Sequence, residues 1–300
     1  MMIVNVQSAA LRDTPVDLLP LRIRKYFYCI TPEKIYEIRL RCSKPLCVMC
    51  SEGKRYVTST GKLSSNSEKG IIVGRKDIED AIDILTESSL YSFKDEIKNG
   101  FITAPGGHRV GICGTVTSEG DYITDISCMN YRFAREVYGA ADKAIDAVYN
   151  DGQVKSTLIV SRPGCGKTTF LRDLVRQISN KGVNISVVDE RGELSAMSAG
   201  IPGFDLGPCT DILNMCNKKT GMKLMIRTMS PAVVAVDEFD VKSDADVISY
   251  ANSSGVSVFA TIHSGDWRRE IPKHILSSFK CIIILSQKNG PGTVEEIVHV

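Results

Sequence analysis

The chain carries almost no net charge, no long apolar run and no internal repeat, and each absence removes a class of function. Its formal charge is +2 over 300 residues. The balance is also local: residues 1 to 150 hold 20 Lys plus Arg against 19 Asp plus Glu, leaving 17 against 16 for the rest. Neither half has the basic excess of a dedicated nucleic-acid binder, which demotes nucleic acid as a partner without excluding it. The longest apolar runs, such as Cys281-Ile-Ile-Ile-Leu285, are strand-sized and fall well short of the roughly 20 residues that a membrane-spanning helix needs. The opening Met1-Met-Ile-Val-Asn-Val6 has no basic stretch leading into an apolar core, which speaks for a cytosolic chain with reduced thiols. Ten cysteines are present, but Cys47-x-x-Cys50 has no second CxxC or CxxH partner at zinc spacing and reads as buried structural thiols.

What remains is ordinary globular composition, with 43% hydrophobic and 24% charged residues, and enough length for two domains. One stretch organises the rest. Thr157-Leu-Ile-Val-Ser161 is a β-branched apolar run, Arg162-Pro163-Gly164-Cys165-Gly166-Lys167-Thr168-Thr169 a glycine-bearing loop, and Phe170 to Ile178 an amphipathic stretch. Strand, loop and helix in that order are the context of a phosphate-binding P-loop. Gly164 and Gly166 let backbone N–H groups approach phosphate oxygens, and the following helix adds the positive end of its dipole. Lys167 is then the point charge for the β- and γ-phosphates of ATP, and the Thr168 hydroxyl a ligand for Mg²⁺, with Thr169 the weaker candidate. Ser161 stands where the pattern G-x-x-x-x-G-K-[ST] has its first glycine. Serine resists positive φ, so the turn is expected to be entered differently. The competing reading is a strand-to-helix turn with no ligand.

Beyond the loop, Asn184–Val188, Ala232–Val236, Val256–Ala260 and Cys281–Leu285 are further apolar strand candidates, separated by segments long enough for helices. Near-continuous apolar strands alternating with helices predict a parallel sheet covered on both faces, whose ligand edge is the carboxyl end of its strands. Polar residues follow three of these strands. Asp237-Glu238 after Val236 is a Walker B pair, Asp237 for Mg²⁺ and Glu238 to orient and deprotonate the attacking water. Asp189-Glu190-Arg191 follows Val188. His263 follows Thr261-Ile262 and is either a contact for the γ-phosphate or a structural histidine. Arg227, before the Walker B strand, answers phosphate or lies on a solvated helix face; Trp267, His274 and His299 read as structural.

The first half has a different texture. Leu18–Tyr28 reads as a short helix, Tyr36–Arg41 and Pro45–Met49 as strands, and residues 58 to 68 as a polar loop. Ile78, Ala81, Ile82 and Leu85 recur at helical spacing. A second helix over Ser92–Asn99 stops at Gly100, so two helices back a small sheet. Phe101–Val116 reads as a hairpin about Pro105-Gly-Gly107. Arg109 leaves that turn beside His108; it meets a phosphate or a neighbouring subunit, or it is a solvated hairpin end. Arg132 and Arg135 face the same choice. Val137–Gly152 is Ala-rich, helix-permissive and ends in an Asn150-Asp-Gly152 turn.

In this order, the P-loop, Val188-Asp189-Glu190-Arg191, Val236-Asp237-Glu238 and Thr261-Ile262-His263 resemble the Walker A, Asp box, Walker B and His box of the type II/IV secretion ATPase superfamily. Leu90 to Gly111, with Arg132-x-x-Arg135-Glu136, is similar to sporulation members of that superfamily, and the likeness runs over essentially the whole chain. The resemblance implies an α/β fold: a RecA-like P-loop ATPase core with a parallel sheet over residues 141–300, preceded by a smaller α+β domain over 1–140. It implies ATP and Mg²⁺ as ligands, catalytic roles for Lys167, Glu190, Glu238 and His263, and a homo-oligomeric, hexameric ring in which Arg109, Arg132 and Arg135 swing toward the nucleotide. It also implies an ATPase of endospore-forming bacteria, cytoplasmic on the mother-cell side and attached to the membrane through a membrane-embedded partner protein of the channel complex. Phe239-Asp240 departs from the aliphatic residue and glycine usual after the Walker B pair, and Asp240 adds negative charge near the Mg²⁺ site. Two other functions stay open here: a nucleotide-gated scaffold with little turnover, and a DNA-dependent motor.

Overall fold

The structure, a computed structural model, describes residues 15–30, 35–87, 89, 93–117, 123–134, 136–198, 200–241 and 243–300. The described residues form two compact units, one drawn from Met1–Arg135 and Met197–Gly203, the other from Glu136–Ala196 and Phe204–Val300.

The first unit is an antiparallel sheet with short helices. Its strands are β1 (Ile35–Arg41), β2 (Cys47–Cys50), β3 (Gly53–Val57), β4 (Leu63–Ser64), β5 (Phe101–Ala104), β6 (His108–Val116) and β7 (Ile123–Arg132), and its helices α1 (Leu21–Arg24), α2 (Arg75–Leu85) and α3 (Lys94–Lys98). The strand order is β4-β3-β2-β1-β7-β6-β5. Alternation decides the faces. Ile38, Tyr131, Val110 and Ile102 are successive cross-strand partners, all fully buried in one core with Ile78 and Ala81 of α2, while the register between them carries polar side chains outward.

The predicted small sheet is larger than the sequence pattern indicated. β3 and β7 were not anticipated, because polar residues such as Lys54, Arg55, Ser127 and Asn130 interrupt the apolar alternation, and β4 falls within the stretch read as a polar loop. The opening helix is a single turn of α-helix flanked by 3₁₀ turns, and the second predicted helix is described only from Phe93, with α3 over Lys94–Lys98 and Ser92 outside the described residues. Cys47 and Cys50 are buried and stand an odd number of residues apart on one strand, hence on opposite faces.

The second unit opens with α4 (Ile145–Val148) and a hairpin of β8 (Tyr149–Asn150) and β9 (Gln153–Val154) about Asp151-Gly152, whose φ angles are +49° and +81°. Helix therefore covers only part of the Ala-rich stretch. There follow β10 (Thr157–Ser161), α5 (Lys167–Ser179), β11 (Ile185–Asp189), β12 (Thr210–Asn214), α6 (Lys218–Met229), β13 (Val233–Val236), α7 (Ala245–Ser253), β14 (Ser257–His263), α8 (Trp267–Glu270), α9 (Lys273–Leu276), β15 (Cys281–Ser286) and β16 (Thr293–His299).

The sheet order is β12-β11-β13-β14-β10-β15-β16, parallel except for the antiparallel edge pair β15–β16. Every residue of β10, β11 and β13 is buried, as a strand covered on both faces requires. Alternate residues feed two cores. Ile159, Val187, Ala235, Phe259 and Ile283 pack with α4 and α5, whereas Leu158, Val160, Val188, Val234, Val258 and Ile282 pack with α6 and α7. The parallel register sets Ser161 beside His263 and Val236 beside Ala260, so Asp237 emerges next to Thr261 at the carboxyl edge. Arg227 is exposed in the last turn of α6, at the opposite edge where β13 begins. Trp267 packs against the second core, and His274 and His299 are exposed.

His108 belongs to the interior. Its Nδ1 accepts the Ala134 N–H at 3.0 Å, and burial pushes its pKa down to about 4. The folded protein thus keeps the ring neutral down to about pH 4, whereas the unfolded chain takes up a proton near pH 6.5. Stability from this group is complete above pH 6.5 and is lost as the pH falls toward 4, by at most about 3 kcal/mol. His108→Gln lowers Tm most at pH 7, and the gap to the wild type narrows by pH 4; a gap independent of pH contradicts a neutral buried imidazole.

Candidate functional site

The chemistry-bearing residues meet at the carboxyl edge of β10, β13 and β14. Between β10 and α5 the chain turns through Gly164 and Gly166, with φ of +75° and +82°. These are the conformations that a side chain resists. Ser161 is not among the positive-φ residues; it ends β10 in regular register and donates from Oγ to the Arg162 carbonyl at 2.8 Å. Serine is tolerated at position 161 because the positive-φ turn is made three residues later, at Gly164.

The loop is braced from outside. Gln287 Nε2 donates to the Gly164 carbonyl at 3.1 Å and the Gly292 N–H to the Cys165 carbonyl at 2.7 Å. A Cβ on Gly166 would sit 3.0 Å from Gly292 N. With its carbonyls tied, the loop leaves N–H groups over: those of Gly164, Cys165 and Gly166 have no acceptor among the described residues. Such a row of unpaired amides at a helix start is an anion site.

Lys167 points its charge into this site. Only 5% of the residue is exposed. Its ammonium donates to His263 Nδ1 at 2.8 Å and lies 3.4 Å from Ser161 Oγ. Burial lowers its pKa, and electrostatic interaction with Asp237, Cys165 and Glu238 opposes that shift. Because an ammonium can only donate, Nδ1 of His263 must accept, which leaves Nε2 as the N–H facing Glu238 Oε1 at 3.4 Å.

The Walker B pair completes the constellation. Thr168 Oγ1 donates to Asp237 Oδ2 at 2.6 Å, and Thr261 Oγ1 donates a short hydrogen bond to Asp237 Oδ1. The same Thr261 oxygen accepts the Glu238 N–H at 2.8 Å. Glu238 sits at φ +52°, a left-handed conformation that costs a non-glycine residue about 1–3 kcal/mol and collects at functional sites. Its carboxylate is ion-paired with Arg191.

Two hard oxygen donors, Thr168 Oγ1 and Asp237 Oδ2, thus share one proton where a divalent cation fits, and Mg²⁺ needs few further protein ligands when phosphate and water supply the rest. Among the described residues no group of three or more His, Cys, Asp or Glu side chains forms a metal cage.

Other predicted residues lie beside this centre. Arg162 and Pro163 are exposed on the loop, and Thr168 and Thr169 are half-buried in the first turn of α5. Glu190 is held by Lys218 at 2.5 Å and Asn217 at 3.0 Å; burial raises its pKa, but those bonds and the Lys218 charge outweigh it and the net shift is downward. Asp189 folds the following loop, accepting from Glu193 N and from Ser195 N and Oγ. Asp240 Oδ1 accepts the Ser243 N–H at 3.0 Å, so it serves a turn ahead of α7. Arg109 and Arg132 belong to the first unit and are cross-strand partners on β6 and β7, Arg109 stacked 4.1 Å over Phe101. Arg135 lies outside the described residues. Sequence reasoning missed Thr261, Gln287, Gly292 and the pairing of Arg191. Arg191 and Thr261 stood in the quoted strand ends, but only the register between strands reveals their partners.

Comparison with known proteins gives the same outline. The family model described as sporulation stage III, protein AA matches residues 11–299. Stage III sporulation protein AA of Bacillus subtilis (strain 168) is 34% identical over 279 residues, covering 88% of this chain and 86% of that protein. Among solved structures, the pilus retraction motor PilT with bound ADP aligns with a TM-score of 0.55 at 15% identity, covering 83% of this chain and 74% of that one. The Legionella pneumophila ATPase DotB aligns at 0.52 and 14% identity, covering 83% and 72%. These are likenesses of fold, and the fold is the α/β, RecA-like one of the secretion ATPases.

Thr261 holds both Walker B residues, one through its proton and one through its lone pair. Removing a buried hydroxyl bonded to a carboxylate costs about 2 kcal/mol. Thr261→Val, which keeps the shape, is expected to lower the Tm of the second unit by about 4–8 °C, and Thr261→Ser by less than about 2 °C; equal melting of all three proteins contradicts this role.

Proposed function

The chain belongs to the sporulation stage III, protein AA family, and from that premise we propose that it is a Mg²⁺-dependent ATPase that energises or assembles the channel complex between mother cell and forespore. The observation that carries the reading is Lys167: a buried ammonium whose direct partners are an imidazole and a hydroxyl, with no carboxylate at ion-pair distance among the described residues. A buried charge without a counter-charge is costly. ATP phosphates would supply that counter-charge, and the unpaired loop amides would receive their oxygens.

In this reading Lys167 and the loop from Arg162 to Thr169 hold the β- and γ-phosphates, and Thr168 and Asp237 hold Mg²⁺, which neutralises charge on the transferred phosphoryl group. Glu238 orients a water and takes its proton as the water oxygen bonds to the γ-phosphorus. The bond from that phosphorus to the β–γ bridging oxygen breaks, giving ADP and phosphate. His263 contacts the γ-phosphate, and Glu190 keeps the acidic loop on α6.

The two units then act as domains, residues 1–140 before the ATPase core of 141–300. The subunits form a homo-oligomeric, hexameric ring, cytoplasmic and peripheral to the membrane through a membrane-embedded partner of the channel complex. Arg109, Arg132 and Arg135 are the candidates to meet the γ-phosphate across a domain or subunit boundary. The alternative is a nucleotide-gated scaffold with little turnover, which uses the same site.

Titration of the purified protein with ATP, with and without Mg²⁺, separates these readings. Lys167→Ala weakens ATP binding at least about 10-fold, and Thr168→Ala removes chiefly the gain from Mg²⁺. Glu238→Gln binds ATP and loses Mg²⁺-dependent phosphate release; an unaltered rate removes it as base, and a wild type that binds without release supports the scaffold. Normal ATP affinity in Lys167→Ala overturns the site itself. Turnover per subunit rises with protein concentration as rings form, and an Ala at the working arginine costs turnover far more than affinity; turnover independent of concentration and of all three arginines removes the ring mechanism.

A further inference from the structure

The carboxylate assigned as the base is not a free side chain. Among the described residues its ion partners are Arg191, through Oε2, and His263, whose Nε2 lies 3.4 Å from Oε1. His263 is in turn engaged by Lys167, so its ring is committed to the P-loop. Arg191 is the one full positive charge, among those described residues, that grips Glu238.

The segment bearing Arg191 is fixed to a degree that its exposed position does not suggest. On one side Asp189 accepts three hydrogen bonds from Glu193 and Ser195, and Glu190 is tied to α6 by Lys218 and Asn217. On the other, Arg172 of α5 donates to the Leu194 carbonyl at 3.0 Å and the Glu193 carbonyl at 2.7 Å, with its guanidinium stacked 3.7 Å over Phe204. Arg191 itself remains 61% exposed at its side chain. An anchored backbone carrying a long cation is a fixed arm, and its guanidinium rests on the one carboxylate that has to be aimed.

Glu238 needs such an arm. Its backbone is left-handed, a state that persists only where neighbours over-determine it. Its N–H is held by Thr261 Oγ1 and Asp237 Oδ1, which fixes the main chain but leaves the side-chain torsions to be set by what binds the carboxylate.

We propose that Arg191 is a positioning residue: it aims the Glu238 carboxylate at the water that attacks ATP, and does not itself contact the phosphates. This rests on the reading of Glu238 as base. Displacement of a catalytic group by about 1 Å costs on the order of 100-fold in rate, so loss of the arm appears in turnover and not in binding.

The test uses the full chain with Mg²⁺-ATP for turnover and a nonhydrolysable ATP analogue for affinity. Arg191→Ala is expected to lower kcat about 10- to 100-fold with the analogue Kd changed less than about 3-fold, and Arg191→Lys, which keeps a charge near the carboxylate, to recover part of the rate. In the Glu238→Gln background, Arg191→Ala leaves the analogue Kd unchanged, a readout that needs no turnover. Melting temperatures of the variants within a few degrees of the wild type exclude unfolding, and Arg191→Gln serves if the alanine variant does not fold. A 10-fold or greater loss of analogue affinity in either background overturns the proposal, because Arg191 then holds phosphate. Unchanged or faster turnover in Arg191→Ala also overturns it. Failure of the underlying reading looks different: Glu238→Gln alone then hydrolyses ATP at the wild-type rate, whatever stands at position 191.

Discussion

A lysine ammonium removed from water at the end of a parallel strand, facing an imidazole and a hydroxyl, is the constraint on which the rest of the site depends. Such a charge is unfavourable unless neighbours or a ligand compensate it. The second unit supplies that compensation only from a distance, through the carboxylates of Asp237 and Glu238, and keeps the immediate surroundings neutral. The alignment of strand ends follows. Ser161 beside His263 and Asp237 beside Thr261 are consequences of parallel register, and that register is fixed because a slip by one residue would exchange the two cores flanking the sheet.

Much of the second unit was legible in the sequence because its strands are buried on both faces and so are written as unbroken apolar runs. β10, β11, β13, β14 and β15 were found this way, and the polar residues closing β11, β13 and β14 pointed to the ligand edge. β12 and β16 were not, since they are edge strands with half-exposed positions. In the first unit β7 was hidden for a related reason: only Ile126, Met129 and Tyr131 of its ten residues are buried, and the polar ones between them read as loop.

The site was legible as a set of residue types and illegible as a set of contacts. Motif spacing identified Lys167, Thr168, Asp237, Glu238 and His263, but not that Thr261 binds the Asp237 carboxylate and the Glu238 backbone N–H or that Arg191 grips the Glu238 carboxylate, since Thr261 and Arg191 stand 23 and 47 positions from Glu238 along the chain. Ser161 shows that the motif does not demand glycine at each marked position. The backbone demands it only at Gly164 and Gly166, where φ is positive. His108, which the sequence showed only as the neighbour of Arg109 leaving the hairpin turn, is an interior acceptor for the Ala134 N–H, a role that depends on where β7 ends.

The central claim is that Lys167 is held ready for a nucleotide phosphate, and a structure determined with Mg²⁺ and a nonhydrolysable ATP analogue tests it most directly. The expected result is that Lys167 Nζ leaves His263 Nδ1 for oxygens of the β- and γ-phosphates, while Mg²⁺ replaces the hydrogen bond between Thr168 and Asp237. An analogue bound away from the loop, or bound in it with Lys167 still on His263, would contradict the claim.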